Sequence, residues 1–135
     1  MIVLDASIVV KLLTREAGAG LAVERVAREP ERIAPDWLYA EVANALSKKV
    51  RYAGLPWTLA QEGWLALPTI LPDIVPSMPL AEEAMRLSVE LRHAFYDCLY
   101  LALALRERAL LLTADRKFFE ALADQPYRRS VELLI

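Results

Sequence analysis

Short apolar runs alternate with amphipathic stretches along the whole chain. The opening run "IVLD" has no polar face and predicts a strand over 2–5 buried on both sides. "SIVVKLLT" over 7–14 predicts a short helix, and after the break at Gly18 and Gly20 a second helix reaches about Arg28. "RIAP" (32–35) reads as a strand, with Asp36 placed as an N-cap or first-turn acid. From there a long helix runs to about Ala53, stopped by Gly54. Pro56 and Thr58 restart a helix that should end before Pro68 or Pro72. "DIVP" (73–76) is a third strand, and Pro79 opens a helix to about Arg92. The stretch from Tyr96 to Glu107 carries "CLYLALAL", apolar all round, which predicts an enclosed helix. "ALLLT" (109–113) is a buried strand, Asp115 starts a helix through Ala123, and "SVELL" (130–134) is a last strand. Strands separated by helices predict an α/β fold, one parallel sheet with helices on both faces and right-handed crossovers.

With 135 residues the chain makes one domain, 1–135, around one core. Its 56% apolar and 25% charged residues describe a folded domain. A net charge of −2 advertises no basic or acidic tail; it argues weakly against tight, non-specific nucleic-acid binding and leaves room for an enzyme that holds such a substrate briefly. A lone cysteine, Cys98, excludes an intrachain disulfide and a Cys-rich zinc site. The chain opens on a strand rather than a leader, and its longest apolar run falls far short of the roughly 20 residues of a membrane span. A cytoplasmic protein with no membrane attachment is expected.

Acids fall at telling places. Asp5 closes the first strand and Asp115 follows "LLLT" by two residues. Glu41 lies early in the long helix and Asp97 heads the apolar one. A parallel α/β fold puts strand ends and the following helix starts on one edge, where sites form. Each acid also has a structural role open to it: Asp5 as a turn residue, Asp97 as a first-turn acid favoured by the helix dipole, Asp115 as an N-cap. Glu41 borders the apolar stripe of Trp37, Leu38, Val42, Ala45 and Leu46, with Asn44 on the same side, placed to orient it or to stay a surface amide. Asp97 is the most informative, because a carboxylate amid Phe95, Tyr96 and eight apolar residues is costly to bury unless it is paired or holds a metal. Carboxylates gathered without His or Cys suit Mg²⁺ or Mn²⁺ and point to phosphoryl chemistry.

"IVLDASIVVKLL", "APDWLYAEVANAL", "FYDCLYLALAL" and "LLLTADRKF", in this order and spacing, resemble the four motifs of the PIN-domain ribonucleases, and among them the toxins of VapBC-type toxin–antitoxin pairs. The resemblance spans nearly the whole chain. It implies Asp5, Glu41, Asp97 and Asp115 as catalytic and metal-binding acids, supported by Ser7, Asn44 and Thr113. It also implies a five-stranded parallel sheet, cleavage of single-stranded RNA with Mg²⁺ or Mn²⁺, a homodimer, and a small antitoxin in the active-site groove. Ala94 stands where many relatives carry Pro, a difference that touches the start of the helix and not the acids.

His93, four residues before Asp97, is placed for a helical contact with it, and Cys98 reads as a small core residue. Arg116 and Lys117, next to Asp115, are the better candidates for RNA contacts, with Lys11, Arg15, Lys48, Lys49 and Arg51 as further cations. Trp37, Trp57 and Trp64 suit core or dimer packing, or base stacking. Other classes are a flap-type, structure-specific DNA nuclease, a phosphoacceptor regulator and a non-catalytic binding module. The DNA nuclease lacks room for a clamping arch. The regulator needs a Lys ending the last strand, which "SVELLI" lacks, and the complete acid set argues against the binding module.

Overall fold

The computed structural model describes residues 1–135. Its strands are β1 (Ile2–Leu4), β2 (Arg32–Pro35), β3 (Asp73–Val75), β4 (Leu110–Thr113) and β5 (Val131–Leu133). Its helices are α1 (Ala6–Thr14), α2 (Ala19–Ala27), α3 (Leu38–Tyr52), α4 (Trp57–Ile70), α5 (Ala81–Leu91), α6 (Phe95–Glu107) and α7 (Arg116–Ala121). Short 3₁₀ turns at Met78–Leu80 and Pro126–Ser130 precede α5 and β5.

The strands form one sheet in the order β3-β2-β1-β4-β5, with every pair parallel. From β1 the chain steps outward to β2 and β3, then returns to the other side of β1 to lay down β4. The strand order therefore reverses at β1 and β4, the switch point where open parallel sheets hold their ligands. In register there, Val3 lies beside Leu111 and Leu4 beside Leu112.

Ile2, Val3 and Leu4 are all buried, as a strand covered on both faces requires. Cys98 through Ala104 are buried without a break, so α6 is enclosed as its composition demands; it packs on β1, β2, β4 and α5. On α1, Ile8, Val9 and Val10 are buried, and the helix packs on β4, α2, α3 and α4. No helix is long and apolar enough to cross a membrane.

Two expectations of the pattern need correcting. Helix α4 passes through Pro68 and ends at Ile70. Pro68 lies within three residues of the helix end, and the Leu71 amide still bonds Leu67 O at 2.9 Å, so the missing proline N–H costs one bond without breaking the helix. Asp36 does not cap α3: Trp37 holds the N-cap position, with no side-chain cap. The Asp36 carboxylate instead accepts from the Ser77 amide (3.1 Å) and hydroxyl (2.5 Å), which ties the end of β2 to the segment after β3.

Candidate active site

Asp5 leaves β1 at the switch point and N-caps α1, its Oδ1 accepting the Ile8 amide at 3.1 Å and the Ser7 hydroxyl at 2.5 Å. Its Oδ2 accepts from the hydroxyl of Thr113, the fully buried last residue of β4. Ser7 Oγ in turn accepts the Ala114 amide at 2.9 Å, and Thr113 Oγ1 accepts the Asp115 amide at 3.0 Å. Two hydroxyls thus stitch the end of β1 to the end of β4 and fix the orientation of Asp5. Only 7% of Asp5 is exposed. Burial pushes its carboxyl up from 3.8 to about 6, against the lowering effect of the Ser7, Thr113 and Ile8 donors; the neighbouring Asp97 charge adds to the rise.

Glu41 stands in the first turn of α3. Burial raises its carboxyl from 4.5 to about 7, and the charges of Asp97 and Asp5 push the same way, opposed by the Tyr100 hydroxyl, which donates to Oε1 at 3.0 Å. Asp97, in the first turn of α6, is also raised, mainly by burial and further by the charge of Asp115, while His93 opposes. His93 Nε2 lies 2.7 Å from Asp97 Oδ2. The expected helical contact is made instead from the link between α5 and α6. Arg92 turns the chain there with φ 50°, the His93 amide bonds Ser88 O at 3.1 Å, and the ring packs on Phe118. Asp115 N-caps α7, Oδ1 accepting the Phe118 amide at 3.0 Å, so the capping role read from sequence holds.

Asp5 lies within range of the charge of Asp97, Glu41 within range of Asp5 and Asp97, and Asp97 within range of Asp115. Glu41, Asp97 and Asp115 each commit one carboxylate oxygen to a protein donor and keep the other available. No three acidic, His or Cys side chains stand close enough together in this structure to hold a metal ion between them. An open, all-oxygen set under mutual repulsion fits a hard divalent cation that keeps several waters.

The lesser candidates scatter. Asn44 is exposed one turn beyond Glu41. Arg116 and Lys117 are exposed beside Asp115. Lys11 donates to Ala17 O at 2.7 Å and Lys49 pairs with Glu16, so both ammonium groups have partners within the chain. Trp57 and Trp64 are exposed rather than core, lining an apolar groove of about 410 Å³ between α3 and α4. Tyr100 escaped the sequence reading. Its signal was a hydroxyl inside an all-apolar helix, which needs a buried partner.

A description of the PIN domain matches residues 2–124. The chain belongs to the PIN-domain family. Ribonuclease VapC1 of Mycobacterium tuberculosis is 31% identical over 121 residues, 88% of this chain and 89% of that one. Among solved structures, a toxin–antitoxin complex from Klebsiella pneumoniae superposes on this PIN domain with a TM-score of 0.72 at 21% identity, covering 100% and 98% of the two chains. The M. tuberculosis toxin VapC20, which cleaves the sarcin–ricin loop, gives 0.68 at 19% identity, covering 90% and 95%. At those identities the likeness is one of fold.

Proposed function

We propose that this PIN domain is a Mg²⁺- or Mn²⁺-dependent endoribonuclease that cleaves single-stranded RNA and serves as the toxin of a toxin–antitoxin pair. The observation that carries the reading is the site at the β1–β4 switch point. Asp5, Glu41, Asp97 and Asp115 lie there, Asp5 and Glu41 with pKa values raised to about 6 and about 7; no Lys or Arg pairs with them, and His93 contacts Asp97 alone. The identity to Ribonuclease VapC1 supports RNA as substrate, and the fold shared with toxin–antitoxin proteins supports a small antitoxin partner. The exposed apolar surface at Trp57, Leu59 and Leu65 supports protein contacts, including a homodimer.

A divalent cation held by these carboxylates would supply Lewis acidity, favouring ionisation of a water and offsetting charge on the phosphate. The chain's residues do the rest. Asp5, pinned by Ser7, Ile8 and Thr113, is the fixed floor of the site. Glu41 is held by Tyr100 and Asp97 by His93, each with one oxygen directed to protein and one kept for the ligand. Asp115 closes the group from the β4 side, and Arg116 and Lys117 beside it meet the RNA backbone. Attack by water in line with the leaving oxygen gives 5′-phosphate and 3′-hydroxyl ends.

The test compares wild type and Asp97→Asn on matched single-stranded RNA and DNA with Mn²⁺, followed by end-group analysis. Wild type should cut RNA to 5′-phosphate products, and the variant should stay folded and lose about a hundredfold or more. Equal activity in the variant, or cyclic-phosphate ends, would overturn the reading, and preferred cleavage of DNA would favour a DNA nuclease.

A further inference from the structure

We propose that the Tyr96 ring, backed by Trp37, is a stacking platform for an unpaired nucleobase of the RNA beside the scissile phosphate. This rests on the RNA-cleaving reading above. Trp37 and Tyr96 lie face to face, centroids 4.6 Å apart and planes 9° from parallel. Trp37 stands one helical turn before Glu41, whose amide bonds Trp37 O at 3.3 Å, and Tyr96 is the residue before Asp97. The two elements that deliver two of the acids thus also deliver the two rings. Phosphodiester bound at those acids places its neighbouring nucleotide at the rings.

Tyr96 is built as a platform rather than a core residue. Trp37 covers one face and Phe95 meets the ring edge-on at 5.7 Å, yet 49% of the residue is exposed. The chain's own cations sit over Tyr52 and Phe119 and leave Tyr96 uncovered. Trp37 is fixed beneath it, its amide donating to Ser77 Oγ at 3.2 Å. Its indole Nε1 is buried and makes no hydrogen bond. A ring already ordered by stacking loses little freedom when a ligand lies on it. Every base offers a π-face, so such a platform binds single strands with little sequence preference and excludes paired duplex. That fits a chain of net charge −2, since stacking adds affinity to whatever its few phosphate contacts supply.

The experiment measures the binding of a fluorescein-labelled single-stranded RNA of about ten nucleotides to wild type, Tyr96→Phe and Tyr96→Leu in EDTA, by anisotropy. The KM and kcat for its cleavage with Mn²⁺ follow. Tyr96→Leu should weaken binding and raise KM about five- to hundredfold, with kcat changed far less. Tyr96→Phe, which keeps the ring, should restore wild-type binding. Thermal melts confirm that both variants fold. Cleavage by wild type with an unchanged KM in Tyr96→Leu overturns the platform alone and leaves the nuclease standing. Absence of RNA binding and cleavage in wild type overturns both. A Tyr96→Leu variant that keeps RNA binding but loses the protein product of an adjacent small gene assigns the ring to a protein contact and overturns the proposal.

Discussion

Raising the pH of the metal-free protein should destabilise it, and a divalent cation should reverse the loss. A carboxyl whose pKa is higher in the folded chain than in the unfolded chain binds its proton more tightly when folded. Stability is then highest below the unfolded value and falls as pH rises through the folded one. Asp5 moves from 3.8 to about 6 and Glu41 from 4.5 to about 7. Integrating both between about pH 5 and about pH 8 gives an upper bound on the order of 4 kcal/mol, which solvent screening of the half-buried Glu41 and the mutual coupling of the acids reduce; Asp97 acts in the same direction. That is a large share of the roughly 5–15 kcal/mol that holds a domain together. Glu16 and Glu83 are held low by Lys49 and Arg86, and their effect is confined to pH at or below their ordinary 4.5, outside this window.

Urea unfolding in EDTA, followed by tryptophan fluorescence, should therefore show a lower midpoint at pH 8 than at pH 5. Mn²⁺ at about a hundredfold excess over its Kd should recover about 2.7 kcal/mol at pH 8, where the carboxylates are ionised, and much less at pH 5. Equal midpoints at the two pH values in EDTA, or equal gains from Mn²⁺ at both, would refute the reasoning, because the acids would then neither repel one another nor share an ion.

Two further substitutions test the frame around the site. Thr113→Val keeps the volume of a fully buried side chain but removes the hydroxyl that donates to Asp5 and accepts from the Asp115 amide. It should cost about 1–3 kcal/mol and move the pH-dependent loss of stability to higher pH, read from the same urea series. Arg108 ends α6 with φ 53°, a left-handed conformation that costs an L-residue about 1–2 kcal/mol. Arg108→Gly should raise the unfolding free energy by about 1 kcal/mol and leave RNA cleavage unchanged. A lowered melting temperature would show that the arginine side chain contributes more than its backbone costs.

How much of this was legible in the sequence depends on the range of the interaction. The buried strands and the enclosed α6 were readable because their cause is local composition: three or four apolar residues closed by an acid, and a run with no polar face. The acids stood out as candidates because Asp5 and Asp115 follow strand ends and Glu41 and Asp97 sit near helix starts, points that a parallel sheet tends to gather on one edge. Asp36 misled because the Ser77 that claims it comes from a segment 41 residues away. The bond from Tyr100 to Glu41 spans 59 residues, and that from Thr113 to Asp5 spans 108. No periodicity announces such partners.

They arise from strand order, a property of the whole sheet. Had β4 been laid beside β3, each strand would keep its buried face and each acid its place at a strand end. Yet two whole strands would separate Thr113 from Asp5, and Ser7 would lose the Ala114 amide. The placement of β4 next to β1 is what joins Asp5, through Thr113, to the backbone of Asp115. The hydroxyls of Ser7 and Thr113 make that placement specific, because the Ala114 amide reaches Ser7 and Thr113 reaches Asp5 only across this pair of strand ends.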